Sequence, residues 1–226
     1  MTIRFLASAI GAVLLATPAG AATVLDFNEL HPTRGRTYVY GPYEQAGFRL
    51  SSSACPIAGT NGRAQCFVTP ANTINNIDRV GAALVNFAGN AVVSLAKVDG
   101  GLFTLDSLVL ASNINNASGL GRATQDASFT FMLADGSTLT RTRTIDSTGV
   151  ANRNLLTFDV GPLTGFSFRP STGTGGFLQF DDIAVTAVAA VPEASIWAMM
   201  LVGFGGIGVA LRRRRSKVTG RVAFAA

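Results

Sequence analysis

From Thr23 to Val188 the chain is a succession of short runs rich in Val, Phe, Leu and Thr, each closed by Gly, Pro, Asn, Asp or Ser. No long window keeps a 3.6-residue period, so the pattern predicts strands and at most minor helix. The expected strands are Val24–Leu30, Thr37–Tyr43, Gly47–Ser52, Gln65–Thr69, Ala83–Phe87, Ala91–Val98, Phe103–Ala111, Ser128–Leu133, Thr138–Ile145, Leu155–Val160, Gly165–Arg169 and Phe177–Thr186. The clearest hairpin runs from Ser128 to Thr140, where Asp135-Gly136 suits a tight turn with positive φ and Phe129, Phe131 and Leu133 share one face. Strands of this length, with turn signals between them, predict an all-β body over residues 22–188, a jelly-roll-like β-sandwich whose strand order the pattern leaves open.

Both ends of the chain break this pattern. Met1 to Arg4 is a short positive region, Phe5 to Leu15 an apolar run too short to span a bilayer, and Pro18 to Ala21 a set of small residues. That layout predicts a secretory signal peptide over residues 1–21, cut after Ala21. At the other end, the linker-like Ala187–Val191 leads to Pro192-Glu193, an uncharged run from Ala194 to Leu211, and the block Arg212, Arg213, Arg214 and Arg215. As a helix at 1.5 Å per residue the uncharged run reaches about 27 Å, enough for a thin hydrocarbon core. With the body sent outward, the four Arg mark the cytoplasmic side, Trp197 the outer interface, and residues 216–226 a cytoplasmic tail. Gly203, Gly205, Gly206 and Gly208 leave the helix slender and open to close approach by another.

Composition changes the picture only once the charge is located. The 226 residues are 48% hydrophobic and 14% charged, with a formal net charge of +5 and a pI near 9.9. So basic a chain raises nucleic acid or an anionic surface as a partner. The excess, however, lies in Arg4 and in the six Lys and Arg from 212 onward, while residues 22–192 hold eleven basic against twelve acidic residues. The body is near neutral, and nucleic acid is excluded as its expected partner.

Candidate chemistry is sparse. Export makes Cys55 and Cys66 a natural disulfide around the turn Gly59–Gly62, worth about 3 kcal/mol on the loop-entropy model; two buried thiols are the alternative. Two Cys and the single His31 do not make a zinc site. No Gly-x-Ser-x-Gly, His-Glu-x-x-His or phosphate-binding glycine loop is present, and His31 reads as a surface residue, so no enzyme activity is expected. Ser171–Gly176 reads as a turn, and the Asn pairs at 75–76 and 115–116 make no repeat. The strand Leu139–Thr144 places Thr140, Thr142 and Thr144 on one face with Arg141 and Arg143 on the other; an acidic polysaccharide site and a charged, pairing-averse edge are both open. In Phe180-Asp181-Asp182-Ile183 the apolar parity switches at the Asp pair, which predicts a bulge. This segment resembles the closing strand of calcium-stabilised carbohydrate-binding jelly rolls. The resemblance implies a structural Ca²⁺ shared by Asp26, Glu29, Asp181 and Asp182, against the alternative that both Asp residues solvate a strand end.

The segment from Val191 to Arg215, with Pro192, Glu193, Trp197 and the glycine-rich run before the Arg block, resembles the PEP-CTERM protein-sorting signal of Gram-negative bacteria. The resemblance covers residues 189–215. It implies export, an inner-membrane precursor, recognition at Val191-Pro192-Glu193 by an exosortase-like protease, a transmembrane helix over 194–211 as a transient anchor, and delivery to the cell surface or an extracellular matrix rich in polysaccharide. The family's second proline is Ala194 here. Its bodies share no single activity, so an envelope or matrix protein that binds exopolysaccharide is the leading expectation. A permanently anchored periplasmic binding domain and a secreted carbohydrate-active enzyme are the alternatives.

Overall fold

The computed structural model describes residues 22–31, 35–57, 62–70, 77–78, 80–112, 124–146, 152–171, 177–188 and 194–215. The chain divides into two compact units, Met1–Ala189 and Ala190–Ala226. Among the described residues the first is all β apart from one turn of 3₁₀ helix at Asn28–Leu30. Its strands are β1 (Ala22–Leu25), β2 (Tyr38–Val39), β3 (Tyr43–Gln45), β4 (Phe48–Ser52), β5 (Phe67–Val68), β6 (Leu84–Asn86), β7 (Val93–Lys97), β8 (Phe103–Ser112), β9 (Thr124–Leu133), β10 (Thr138–Asp146), β11 (Asn154–Thr157), β12 (Leu163–Pro170) and β13 (Leu178–Ala187).

The antiparallel pairings form two layers. The front layer runs β10-β9-β12-β7-β4-β3. The back layer runs β2-β5-β6-β13-β8-β11, with β1 also on β13. Leu163 paired with Phe103 joins them into one sheet. Between the layers lies an apolar core made by the inward parity of each strand, as expected where one face of an antiparallel sheet is buried. Phe129, Phe131, Phe166 and Phe168 come from the front; Phe103 and Phe180 come from the back. Ring contacts cross the gap from Phe48 to Phe103 and from Phe168 to Phe180. Each fully buried Phe contributes roughly 1.5–3 kcal/mol of transfer free energy.

The expected β-sandwich is therefore present, with differences that have local causes. The expected strand Val24–Leu30 stops at Leu25 because Phe27 takes a left-handed φ of 53° that turns its ring into the core, against Tyr43 and Phe180. The run Thr37–Tyr43 is two strands, since Gly41 (φ 91°) and Pro42 break the ladder. At the β9–β10 hairpin only Gly136 has positive φ (85°), while the Asp135 carboxylate accepts from the Ser137 N–H and O–H. The bulge in β13 is real. Leu178 and Phe180 face the core, then Ile183 and Val185 do, and the register shifts between Asp181 and Ala184 where Asp182 has φ 47°.

Candidate functional site

Before the bulge, alternation with Leu178 and Phe180 places Gln179 and Asp181 on the outer side of the back layer, where Ile77 joins a second apolar cluster with Ala83, Val109 and Ala111. The Gln179 Oε1 accepts from the Ile77 N–H at 3.1 Å. Asp181 is 1% exposed. Its Oδ1 accepts from the Asp182 N–H at 2.8 Å, whereas Oδ2 has no hydrogen-bond partner and lies 3.8 Å from the Arg153 guanidinium. Burial, reinforced by the charges of Asp182 and Asp78, pushes the Asp181 carboxyl up to about 8, against the Asp182 N–H and Arg153. Arg153 binds the exposed Asp182 more closely, at 2.6 Å, and donates to the Ile77 carbonyl at 3.2 Å. It thus clamps the strand to the segment above it.

The other two expected calcium ligands are engaged elsewhere. The Asp26 carboxylate accepts from Gln45 and from Asn28, each at 2.9 Å. Burial opposes its charge, but these hydrogen bonds hold the carboxyl below the usual range. Glu29 accepts from the Tyr43 hydroxyl at 2.6 Å; burial and this carboxylate together raise the Tyr43 hydroxyl's pKa. Among the described residues no three His, Cys, Asp or Glu side chains gather into a group suited to a metal. Asp26 and Glu29 are hydrogen-bonded to Gln45, Asn28 and Tyr43, while Asp181 and Asp182 face Arg153. Arg153 and Asp78 are the residues that sequence reasoning missed here. Nothing local marks them, since only the fold carries position 153 to position 182.

Cys55 and Cys66 form a disulfide, closing a hairpin seen as the Ile57–Ala64 bridge; Gly59, Thr60 and Asn61 of its turn lie outside the described residues. Among the described residues β10 pairs only with β9 and lies at the edge, with Leu139 and Ile145 turned to the core. Arg141 and Arg143 share that parity, Arg141 over the Phe131 ring at 6.0 Å. Arg143 is exposed, and charges along an edge strand oppose further pairing. The His31 Nδ1–H donates to the Gly81 carbonyl at 2.6 Å.

Among the described residues of the second unit the one element is the helix α1, Ala194–Arg215. It continues through the Arg block instead of stopping at Leu211. Side chains are described from Trp197 to Arg213. Among the described residues no helix is long and apolar enough to cross a membrane, while the whole of α1 contains the uncharged run Ala194–Leu211. Its apolar residues are exposed all round: Met199 74%, Leu201 72%, Val202 71% and Phe204 68%. A Cβ placed on Gly203, Gly205, Gly206 or Gly208 would meet no atom within 4 Å. Ala21, Val191, Pro192 and Glu193 lie outside the described residues.

Residues 190–215 match the family model of the PEP-CTERM protein-sorting motif. The chain carries a PEP-CTERM sorting signal. The PEP-CTERM segment coincides with the start of the second unit and with α1. It makes this an exported protein handled at the membrane. Ala194, where the family has proline, is the first residue of α1, a position at which proline also fits a helix.

No curated protein sequence matches the chain. Among solved structures it is similar to a family 29 carbohydrate-binding module in complex with mannohexaose, at 13% identity and TM-score 0.37 over 74% of this chain and 92% of that one. It is also similar to the CBM22-1 xylan-binding domain of Paenibacillus barcinonensis Xyn10C, at 15% identity and TM-score 0.37 over 78% and 100%. A third is a Clostridium perfringens CBM32 domain in complex with GalNAc-β-1,3-galactose, at 11% identity and TM-score 0.35 over 62% and 99%. At these scores the likenesses decide nothing about what this chain binds.

Proposed function

We propose that the protein is a non-enzymatic component of the cell envelope or extracellular matrix, sorted by an exosortase-type protease and binding exopolysaccharide. The observation that supports it most is the pairing of a self-contained β unit with a separate C-terminal unit carrying the PEP-CTERM motif and a helix exposed on all its apolar faces. The tail holds the precursor in the inner membrane with the body outside. Cutting near Pro192-Glu193 then releases the body, near neutral in charge, to the surface polymer. The body needs no cofactor in this reading, because Arg153 supplies positive charge at the Asp181–Asp182 pair.

Mass spectrometry of the C-terminus of surface-associated protein tests the proposal. The expected product ends near Glu193, and intact Arg212–Ala226 on that material would overturn processing. The departure at Ala194 favours a second reading, an uncut and permanent single-pass anchor. Ala194→Pro distinguishes the two, since the substitution suits the first helical position. A shift of material from the membrane to the secreted fraction would show that Ala194 restrains cutting.

A further inference from the structure

The outer face of the front layer carries a row of hydroxyls in register across five strands. Thr140 of β10 pairs with Thr130 of β9, Thr130 with Ser167 of β12, Ser167 with Ser94 of β7, and Ser94 with Ser51 of β4. All five alternate with buried neighbours such as Phe129, Phe131, Phe166, Phe168 and Leu95, so they point away from the core. At about 4.8 Å between strands, the row is roughly 19 Å long. Ser167, at its centre, is 9% exposed. Among the described residues its hydroxyl has no hydrogen-bond partner, although Thr, Ser and Asp hydroxyls and carboxylates elsewhere on the sheet are paired with one another. A hydroxyl that makes no bond within the protein keeps its donor and its acceptor for a ligand hydroxyl or ring oxygen.

Two features beside the row define what it fits. The Met132 thioether lies over Gly165, where a Cβ would come within 3.1 Å of its Cε; with the exposed Ala96 this makes a low apolar strip beside the hydroxyls. Charges stay at the margins. Arg49 is paired with Glu44 at 2.7 Å, Asp126 accepts from Thr144 at 2.6 Å, and Arg169 stands one row away opposite Ser128. A neutral centre combining hydroxyls with an apolar strip complements the two kinds of surface on a sugar ring, polar at its rim and apolar on its faces. An anionic chain would instead meet Asp126 at one end. Short, β-branched or single-rotor side chains on a rigid sheet also lose little entropy on binding.

We infer that the Thr140–Thr130–Ser167–Ser94–Ser51 row is the binding face for an extended, neutral polysaccharide laid across the strands. This deepens the proposed function and rests on its placing the body among surface polymers. The test uses the full chain in nonionic detergent on immobilised hydroxyethylcellulose, with polygalacturonate as the anionic comparator. The wild type is expected to be retained and to elute with free hydroxyethylcellulose, and the triple variant Thr130→Val, Thr140→Val, Ser94→Ala to bind at least tenfold more weakly. Thr140→Val alone, at the exposed edge, is expected to weaken binding severalfold with an unchanged melting midpoint. Glu44→Gln, on the margin, is expected to change nothing. Failure of the wild type to bind, equal binding by the variants, or tighter binding of polygalacturonate would each overturn the inference. The assay does not depend on cutting: a chain that is processed but does not bind overturns this inference alone, and one that binds but keeps its tail overturns the sorting reading alone.

Discussion

Replacing Asp181 by Asn should stabilise the β unit, and more so as pH rises. The carboxyl is 1% exposed with one oxygen lacking any hydrogen bond, and burial pushes it up to about 8 from the ordinary 3.8. The folded state therefore binds this proton more tightly than the unfolded chain does. Its contribution is fully present below about pH 4 and is lost as pH rises through 8. Four pKa units at 1.36 kcal/mol each set a ceiling of about 6 kcal/mol on that loss. Water entry and movement of Arg153 lower it in practice, and we expect about 2–3 kcal/mol between pH 5 and pH 9. Asn keeps the shape and the acceptor for the Asp182 N–H without the charge. Urea unfolding followed by far-UV circular dichroism is the suitable assay, because the lone Trp197 sits in α1 and does not report on the strands. Wild type and variant should nearly coincide at pH 5 and diverge by pH 9 with the variant ahead. Curves that stay parallel across this range would refute the burial argument.

Arg153→Met removes the cation beside both carboxylates and the donor to the Ile77 carbonyl; it should destabilise the unit by about 2 kcal/mol at pH 8 and much less at pH 5, read from the same urea midpoints. Phe180→Ala empties the point where the rings of Phe27, Phe67 and Phe168 meet and should cost about 4 kcal/mol by equilibrium unfolding. Reducing Cys55–Cys66 should lower stability by about 3 kcal/mol, seen as a drop in midpoint on adding reductant. Since the expected calcium ligands are spread over separate hydrogen-bond sets, adding chelator should leave the melting midpoint unchanged. A calcium-dependent rise would return the metal to Asp181 and Asp182.

Local patterns were enough for whatever depends on local physics. Hydrophobic alternation placed almost every strand, the parity switch in β13 located its bulge, and the two cysteines foretold their bridge, because these follow from side-chain period and chain reach. The C-terminal signal was legible for the same reason: an uncharged run ending in four Arg is linear information, as a membrane or a protease would read it. Tertiary structure alone decided the rest. Asp26 and Glu29 found hydrogen-bond donors in Gln45 and Tyr43, Arg153 was brought to Asp182 from 29 residues away in sequence, and the left-handed turn at Phe27 ended a strand that propensity would have continued. The hydroxyl row is the clearest case. Thr140, Thr130, Ser167, Ser94 and Ser51 lie on five strands, and only the register of the pairing, set by which Phe and Leu side chains share the core, lines them up.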